Sequence, residues 1–179
     1  MYNMIDGVLN YSKINSPRQF IEEIDLDQLL DEIITDLELL IQAKEAQFSS
    51  TGLPVVMGYR VLLYQLFYNI ILNALKFAKT GEPVQVNIQC TISEQQQEKF
   101  YRIDITDNGI GFEDEYAGSI FETFTRLNAA DEYEGTGLGL ALCRKITDRH
   151  NGFIFATGEL NKGATFTVLL PVSGGAGES

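Results

Sequence analysis

The sequence predicts an α+β fold, a two-layer sandwich with helices on one face of an antiparallel or mixed sheet, and three observations carry that reading. Strict alternation of apolar and polar residues from Val84 to Ile92 marks a half-buried strand, and the polar turn Ser93–Lys99 leads into a partner at Phe100–Thr106. Apolar residues at helical spacing precede and follow that hairpin. Two further strand-like segments, Phe153–Thr157 and Ala164–Leu170, close the chain, so helices and hairpins are mixed rather than alternating as parallel βαβ units.

A chain of 179 residues with 45% hydrophobic and 21% charged residues is long and apolar enough for one domain with a core. Its 13 Lys+Arg against 25 Asp+Glu give a net charge of -12, which repels nucleic acid and anionic membranes, so an anionic ligand must be held locally. The two cysteines, Cys90 and Cys143, lie far apart with no metal-ligand spacing, and read as small buried residues in a reducing compartment. No apolar run approaches the roughly 20 residues needed to span a bilayer, and no secretory pattern opens the chain.

Met1, Met4, Ile5, Val8 and Leu9 form a helical stripe that breaks at Asn15-Ser16-Pro17, as expected for the end of a longer helix occupying residues 1–16. The main domain is expected over 17–172 and a disordered Gly-rich tail over 173–179. After an extended stretch near Phe20–Ile24, Asp25 precedes a stripe of Leu26, Leu29, Leu30, Ile33, Ile34, Leu37, Leu40 and Ile41, a single amphipathic helix with an acidic outer face. A second helix is expected over Tyr59–Ala78, and a third from the glycines at 135–139 to about His150. The acidic connection Glu113–Glu134 is too long for an ordinary loop and reads as a mobile lid.

The second helix is apolar nearly all round except for Gln65, Asn69, Asn73 and Lys76, which fall within an arc of roughly 80° at ~100° per residue. A solvated stripe is usually built from Glu, Lys and Arg, whereas Asn is a poor helix former, so two amides and an ammonium in line point to a ligand. Asp107 keeps the parity of Tyr101, Ile103 and Ile105, which puts its carboxylate on their face at the strand end. An ordinary Asx turn explains Asp107-Asn108-Gly109 by itself; Gly111, followed by Phe112, additionally implies a flat ligand close against the backbone. Gly135, Thr136, Gly137, Leu138, Gly139 and Leu140 open the third helix, where glycine-rich backbone offers free N–H groups to an anion.

Taken together these segments resemble the catalytic and ATP-binding domain of sensor histidine kinases, within the GHKL group that includes gyrase, MutL-type and heat-shock chaperone ATPases. Asn69 to Phe77 matches the N box and Asp107 to Gly111 the first glycine box. Phe121 to Arg126 resembles the F box, Gly135 to Leu140 the second glycine box, and Gly163 to Phe166 the last. The resemblance implies a mixed five-stranded sheet faced by three helices, the Bergerat or GHKL fold, plus an N-terminal remnant of the dimerisation helix. It implies ATP and magnesium as cofactors, and γ-phosphoryl transfer to a histidine on an upstream dimerisation domain.

By the same resemblance Asp107 hydrogen-bonds the adenine amino group, with Gly109, Ile110, Gly111 and Phe112 lining the base pocket and Thr165 supporting Asp107. Asn73 ligates magnesium, Lys76 and Arg126 neutralise phosphate charge, and Phe77, Phe121 and Phe124 pack by the nucleotide, while Gly135, Thr136, Gly137, Leu138, Gly139 and Leu140 close over its phosphates. Asn69 joins Lys76 and Arg126 in the catalytic set. It stands where the ATP-hydrolysing members carry Glu, and an amide cannot activate water as a base, so hydrolysis is expected to be slow. The implied partners are the chain's own upstream dimerisation domain, as a homodimer in the full-length protein, and a response regulator receiver domain. No nucleic acid is expected, and membrane contact only through upstream segments, with the domain itself cytoplasmic. The alternative is a degenerate nucleotide-binding regulatory module without phosphoryl transfer, against which the full set Asn73, Lys76 and Arg126 speaks. The only histidine, His150, reads as a helix-terminal residue beside the last carbonyls rather than a phosphoacceptor.

Overall fold

Asp25 ends one element and begins the next. Strand β1 (Glu22–Asp25) pairs antiparallel with β3 (Val55–Gly58), and the Asp25 carboxylate then caps helix α1 (Leu26–Asp36) by accepting from the N–H groups of Asp27 at 3.0 Å and Gln28 at 3.3 Å. The computed structural model describes residues 19–122 and 138–172. The N-terminal helix and the C-terminal tail expected from the sequence therefore lie outside the described residues.

The long amphipathic helix expected from Leu26 to Ile41 is two helices. Leu37 leaves helical geometry, and α2 (Glu38–Ala43) continues in a new direction. Two residues before the break the Thr35 hydroxyl donates to the Asp31 carbonyl at 2.8 Å, a back-bond of the kind that bends helices. The apolar stripe survives the break because Leu37 stays buried.

Five strands form the main sheet in the order β2-β4-β5-β7-β6, with β2 (Gln47–Ser50) parallel to β4 (Gln85–Gln95) and every other pairing antiparallel. The sheet is therefore mixed. Strands β4 and β5 (Glu98–Asp107) run to a two-residue turn at Gln96 and Gln97, both at positive φ, so the longer polar turn expected over Ser93–Lys99 is absorbed into the ladder. Two left-handed residues match the twist of the flanking strands and let pairing continue to the tip. Strands β6 (Phe153–Glu159) and β7 (Gly163–Pro171) complete the order. Strands β2 and β3 are not legible in the sequence: each is four residues long, too short for alternation to stand out.

Helices α1, α3 (Arg60–Lys76) and α4 (Gly139–Arg149) cover one face of this sheet. Leu63, Leu66, Ile70, Ile71 and Leu75 of α3 are buried against Ile88, Ile103, Ile105 and Val168 from the strands, as the continuous apolar face of that helix requires. His150, just past the end of α4, locks the two long helices together. Its Nδ1 lies 2.8 Å from the Ile146 carbonyl and its Nε2 accepts the Tyr59 N–H at 3.0 Å, where α3 begins. The carbonyl fixes the proton on Nδ1 and leaves Nε2 as the acceptor. Burial pushes the imidazole below its ordinary pKa, and the nearby Arg149 charge acts in the same direction.

Candidate nucleotide-binding site

Asp107 is the last residue of β5, and the two-residue period turns its side chain toward the helices. One carboxylate oxygen accepts the Gly109 N–H at 2.8 Å, and the Ala164 N–H of β7 is a second donor. Burial nevertheless pushes the Asp107 carboxyl above the usual carboxylate range, because the desolvation of the anion outweighs both donors. The carboxylate is thus fixed in position by backbone and poorly solvated.

The loop after Asp107 is welded to the end of α3. The Ile110 N–H donates to the Phe77 carbonyl at 2.9 Å, and a Cβ on Gly109 would come within 2.4 Å of that same oxygen. Gly109 therefore belongs to the pocket wall, where only a bare Cα fits. Gly111, expected to admit a flat ligand, is required by the protein itself: it sits at φ +62°, and a Cβ there would lie 2.1 Å from the Glu159 carbonyl oxygen. Phe112 is buried in the core, so these two residues support the pocket from behind rather than line it. Ile110 is half-buried, with its carbonyl held by the Asn161 N–H at 2.8 Å. Asn108 also works as a brace, with Oδ1 accepting from Gln85 N–H at 2.8 Å and Nδ2 donating to the Pro83 carbonyl at 3.1 Å.

Thr165 is not placed to support Asp107. The register sets Asp107 opposite Ala164, and Thr165 opposite Thr106, so the Thr165 hydroxyl meets the Thr106 hydroxyl at 2.9 Å on the sheet face away from the helices. Sequence reading missed Ala164, although the core-facing parity of Phe166 and Val168 already points to it.

On α3 the residues Gln65, Asn69, Asn73 and Lys76 are all half-buried. Lys76 lies in the last turn with Nζ 5.3 Å from the Phe77 ring centroid. The Asn69 amide nitrogen reaches the Gly139 carbonyl at 3.5 Å, which brings the stripe against the N-terminus of α4. There Leu138 is buried and Leu140 is half-buried, so at this point the glycine box packs onto the core as well as offering backbone N–H groups. Phe121 is buried too, edge-on to Phe166 and beneath the Arg144 guanidinium, which lies 4.8 Å from its centroid. The first part of the expected lid, as far as Glu122, is accordingly ordered structure with short 3-10 turns at Asp114–Tyr116 and Ser119–Phe121. Phe124, Arg126, Gly135, Thr136 and Gly137 lie outside the described residues.

A carboxylate at a strand end, a glycine loop sewn to an amide-bearing helix, and a second helix starting beside those amides coincide with one family model. Residues 58–174 match the family of histidine kinase-, DNA gyrase B-, and HSP90-like ATPases. The chain belongs to this family. Among curated relatives of this family member, cyanobacterial phytochrome A of Nostoc sp. is 37% identical over 97% of the chain, and the adaptive-response sensory kinase SasA of Synechococcus sp. is 30% identical over 96%. The chain spans only 22% of the phytochrome's length and 46% of SasA's. Among solved structures, the catalytic domain of histidine kinase ThkA is 27% identical, with a TM-score of 0.68 over 85% of this chain and 97% of that one. The full-length kinase ShkA in complex with AMPPNP (23% identical, TM-score 0.75, 94% of this chain and 35% of that one) shares the fold. So does ThkA in complex with the response regulator protein TrrA (24% identical, TM-score 0.69, 94% of this chain and 46% of that one). Among the described residues no helix is long and apolar enough to cross a membrane.

Proposed function

We propose that this chain is the ATP-binding catalytic domain of a two-component sensor histidine kinase, working on a histidine of an upstream dimerisation domain. The observation that carries the reading is Asp107, a half-buried carboxylate held by the Gly109 and Ala164 N–H groups, in a family of nucleotide-dependent domains. A carboxylate fixed in this way accepts from the adenine 6-amino group and repels the guanine 6-carbonyl. Gly109 lets the base lie close to the loop, and Phe77 packs beside it.

At the other end Asn69, Asn73 and Lys76 face the triphosphate. The donor set suits magnesium: amide oxygens are hard, neutral ligands for an ion that keeps several waters and binds mainly to phosphate. Among the described residues no group of three or more His, Cys, Asp or Glu side chains could hold a metal, in keeping with an ion that arrives with the nucleotide. Asn73 and Asn69 would hold it, and it would supply positive charge to the phosphates. Lys76 and Arg126 supply positive charge to the transferred group. No side chain on α3 can act as a base toward water, because Asn69 is an amide, so ATP is kept for the acceptor imidazole. The phosphoryl group then passes to a response regulator receiver domain, and the domain works in the cytoplasm.

The test is phosphoryl transfer in two parts. The chain alone, given radiolabelled magnesium-ATP, should bind it without labelling itself, since its one histidine is buried against Tyr59 and Ile146. A separate dimerisation fragment carrying its histidine should become labelled in an acid-labile form, and Asn73→Asp or Lys76→Ala should abolish that label with the fold intact. Label on this chain that His150→Ala removes would overturn the reading.

A further inference from the structure

The Asn69 amide has two donors on nitrogen and one acceptor oxygen, and which end faces the nucleotide decides what the residue can do. Its nitrogen points to α4, where the Gly139 carbonyl lies at 3.5 Å, a long contact that would hold the amide only weakly by itself. Cys143 stands one helical turn beyond Gly139, and its side chain is wholly buried between α4 and α3. The thiol donates to the Leu66 carbonyl at 3.7 Å, and Leu66 lies three residues before Asn69 on the same side of α3. This sets the sulfur beside the Asn69 side chain, whose amide acts on the thiol as a donor.

We propose that Cys143 is a positioning residue for the phosphate end of the site: its sulfur and the Gly139 carbonyl take both N–H bonds of Asn69 and turn Asn69 Oδ1 toward the nucleotide and its metal. The proposal rests on the reading of Asn69 as a site residue. The reverse orientation would set the amide oxygen against the Gly139 carbonyl, two acceptors with no proton between them. The sulfur can play this part because its own proton is directed to the Leu66 carbonyl, which leaves its lone pairs free to accept. The chain Asn69 N–H to sulfur, S–H to Leu66 carbonyl thus returns to the helix it started from, and ties the amide of α3 to the packing of α4.

The experiment measures ADP affinity of the chain by calorimetry with and without magnesium, for the native protein and for Cys143→Ala, Cys143→Val and Cys143→Ser. Melting temperatures and the side-chain amide proton resonances of Asn69 are recorded for each. Metal-free affinity should stay within about twofold throughout, because the adenine end is untouched. The gain on adding magnesium should fall by about tenfold in Cys143→Ala and Cys143→Val, the scale of losing a supporting contact behind a metal ligand, and should return in Cys143→Ser. The Asn69 amide protons should shift in the Ala and Val variants and recover in the Ser variant. Ala and Val bracket the volume of Cys, so packing alone would not move both in the same direction while sparing Ser. An unchanged magnesium gain in both apolar variants overturns the role of Cys143. If Asn69→Ala also leaves the gain unchanged, the reading of Asn69 itself fails; if Asn69→Ala removes it, only the positioning role is lost.

Discussion

The Asp107 end of the proposed nucleotide site and its Asn69 end are built from different materials. At Asp107 the geometry is set by backbone: the N–H groups of Gly109 and Ala164 hold the carboxylate, and the Phe77 carbonyl holds the loop. At Asn69 it rests on a reach between two helices, a 3.5 Å contact to the Gly139 carbonyl, with the buried Cys143 sulfur proposed as its second partner. A strand register cannot slip without turning every side chain over, whereas a helix-to-helix contact of this kind yields to a rotamer change. On the proposed reading, the end that meets the base is therefore preformed, and the end that meets the triphosphate is the part that a ligand can tighten.

The largest effect should come from damage to the rigid end. Gly109→Ala puts a Cβ within 2.4 Å of the Phe77 carbonyl oxygen and 2.9 Å of Asp107 Oδ1, neither of which can move without breaking the loop. We expect a loss of about 1–3 kcal/mol in stability from the forced shift, with nucleotide binding lost in calorimetry. Near-native binding by this variant would show that the loop is softer than its hydrogen bonds imply.

An intermediate effect concerns pH. The folded-state pKa of His150 lies below its ordinary value of 6.5, so stability should be flat above about 6.5 and fall as the pH drops through that value, where the unfolded chain takes up a proton that the folded one resists. Denaturant titrations of His150→Gln, which keeps an acceptor and cannot titrate, should lose this acid dependence. Asp107 moves the other way, since protonation relieves its burial, yet nucleotide affinity should fall with it because the acceptor for the adenine amino group is gone. Acid therefore separates stability from binding, weakening binding in native protein and His150→Gln alike.

The smallest effect belongs to Thr165→Val. It removes a hydroxyl pair with Thr106 on the far face of the sheet and should cost less than about 1 kcal/mol, with ADP affinity unchanged. A clear loss of affinity would restore Thr165 to the site.

The same contrast explains how far the sequence could be read. Alternation over β4 and β5 and the apolar stripes of α1 and α3 put most of the core in place, because burial enforces those periods over many residues. Asp107 and the line of Asn69, Asn73 and Lys76 were legible for the same reason, each being a polar residue at a position where the period called for an apolar one. What stayed hidden depends on partners distant in sequence. The choice of Ala164 over Thr165 follows from the pairing of β5 with β7, and the use of Gly111 from the approach of Glu159. Cys143 reads as packing until Asn69 and Leu66 are seen on either side of it.

The most direct test of the account is the difference in affinity between ADP and GDP, measured by calorimetry on the native chain and on Asp107→Asn. The account predicts clear preference for ADP in the native chain, and in the variant a loss of about 1.5–3 kcal/mol of ADP binding, the range for a hydrogen bond to a charged group, with the preference largely erased. Equal affinity for the two nucleotides in the native chain, or full ADP affinity in Asp107→Asn, would contradict it.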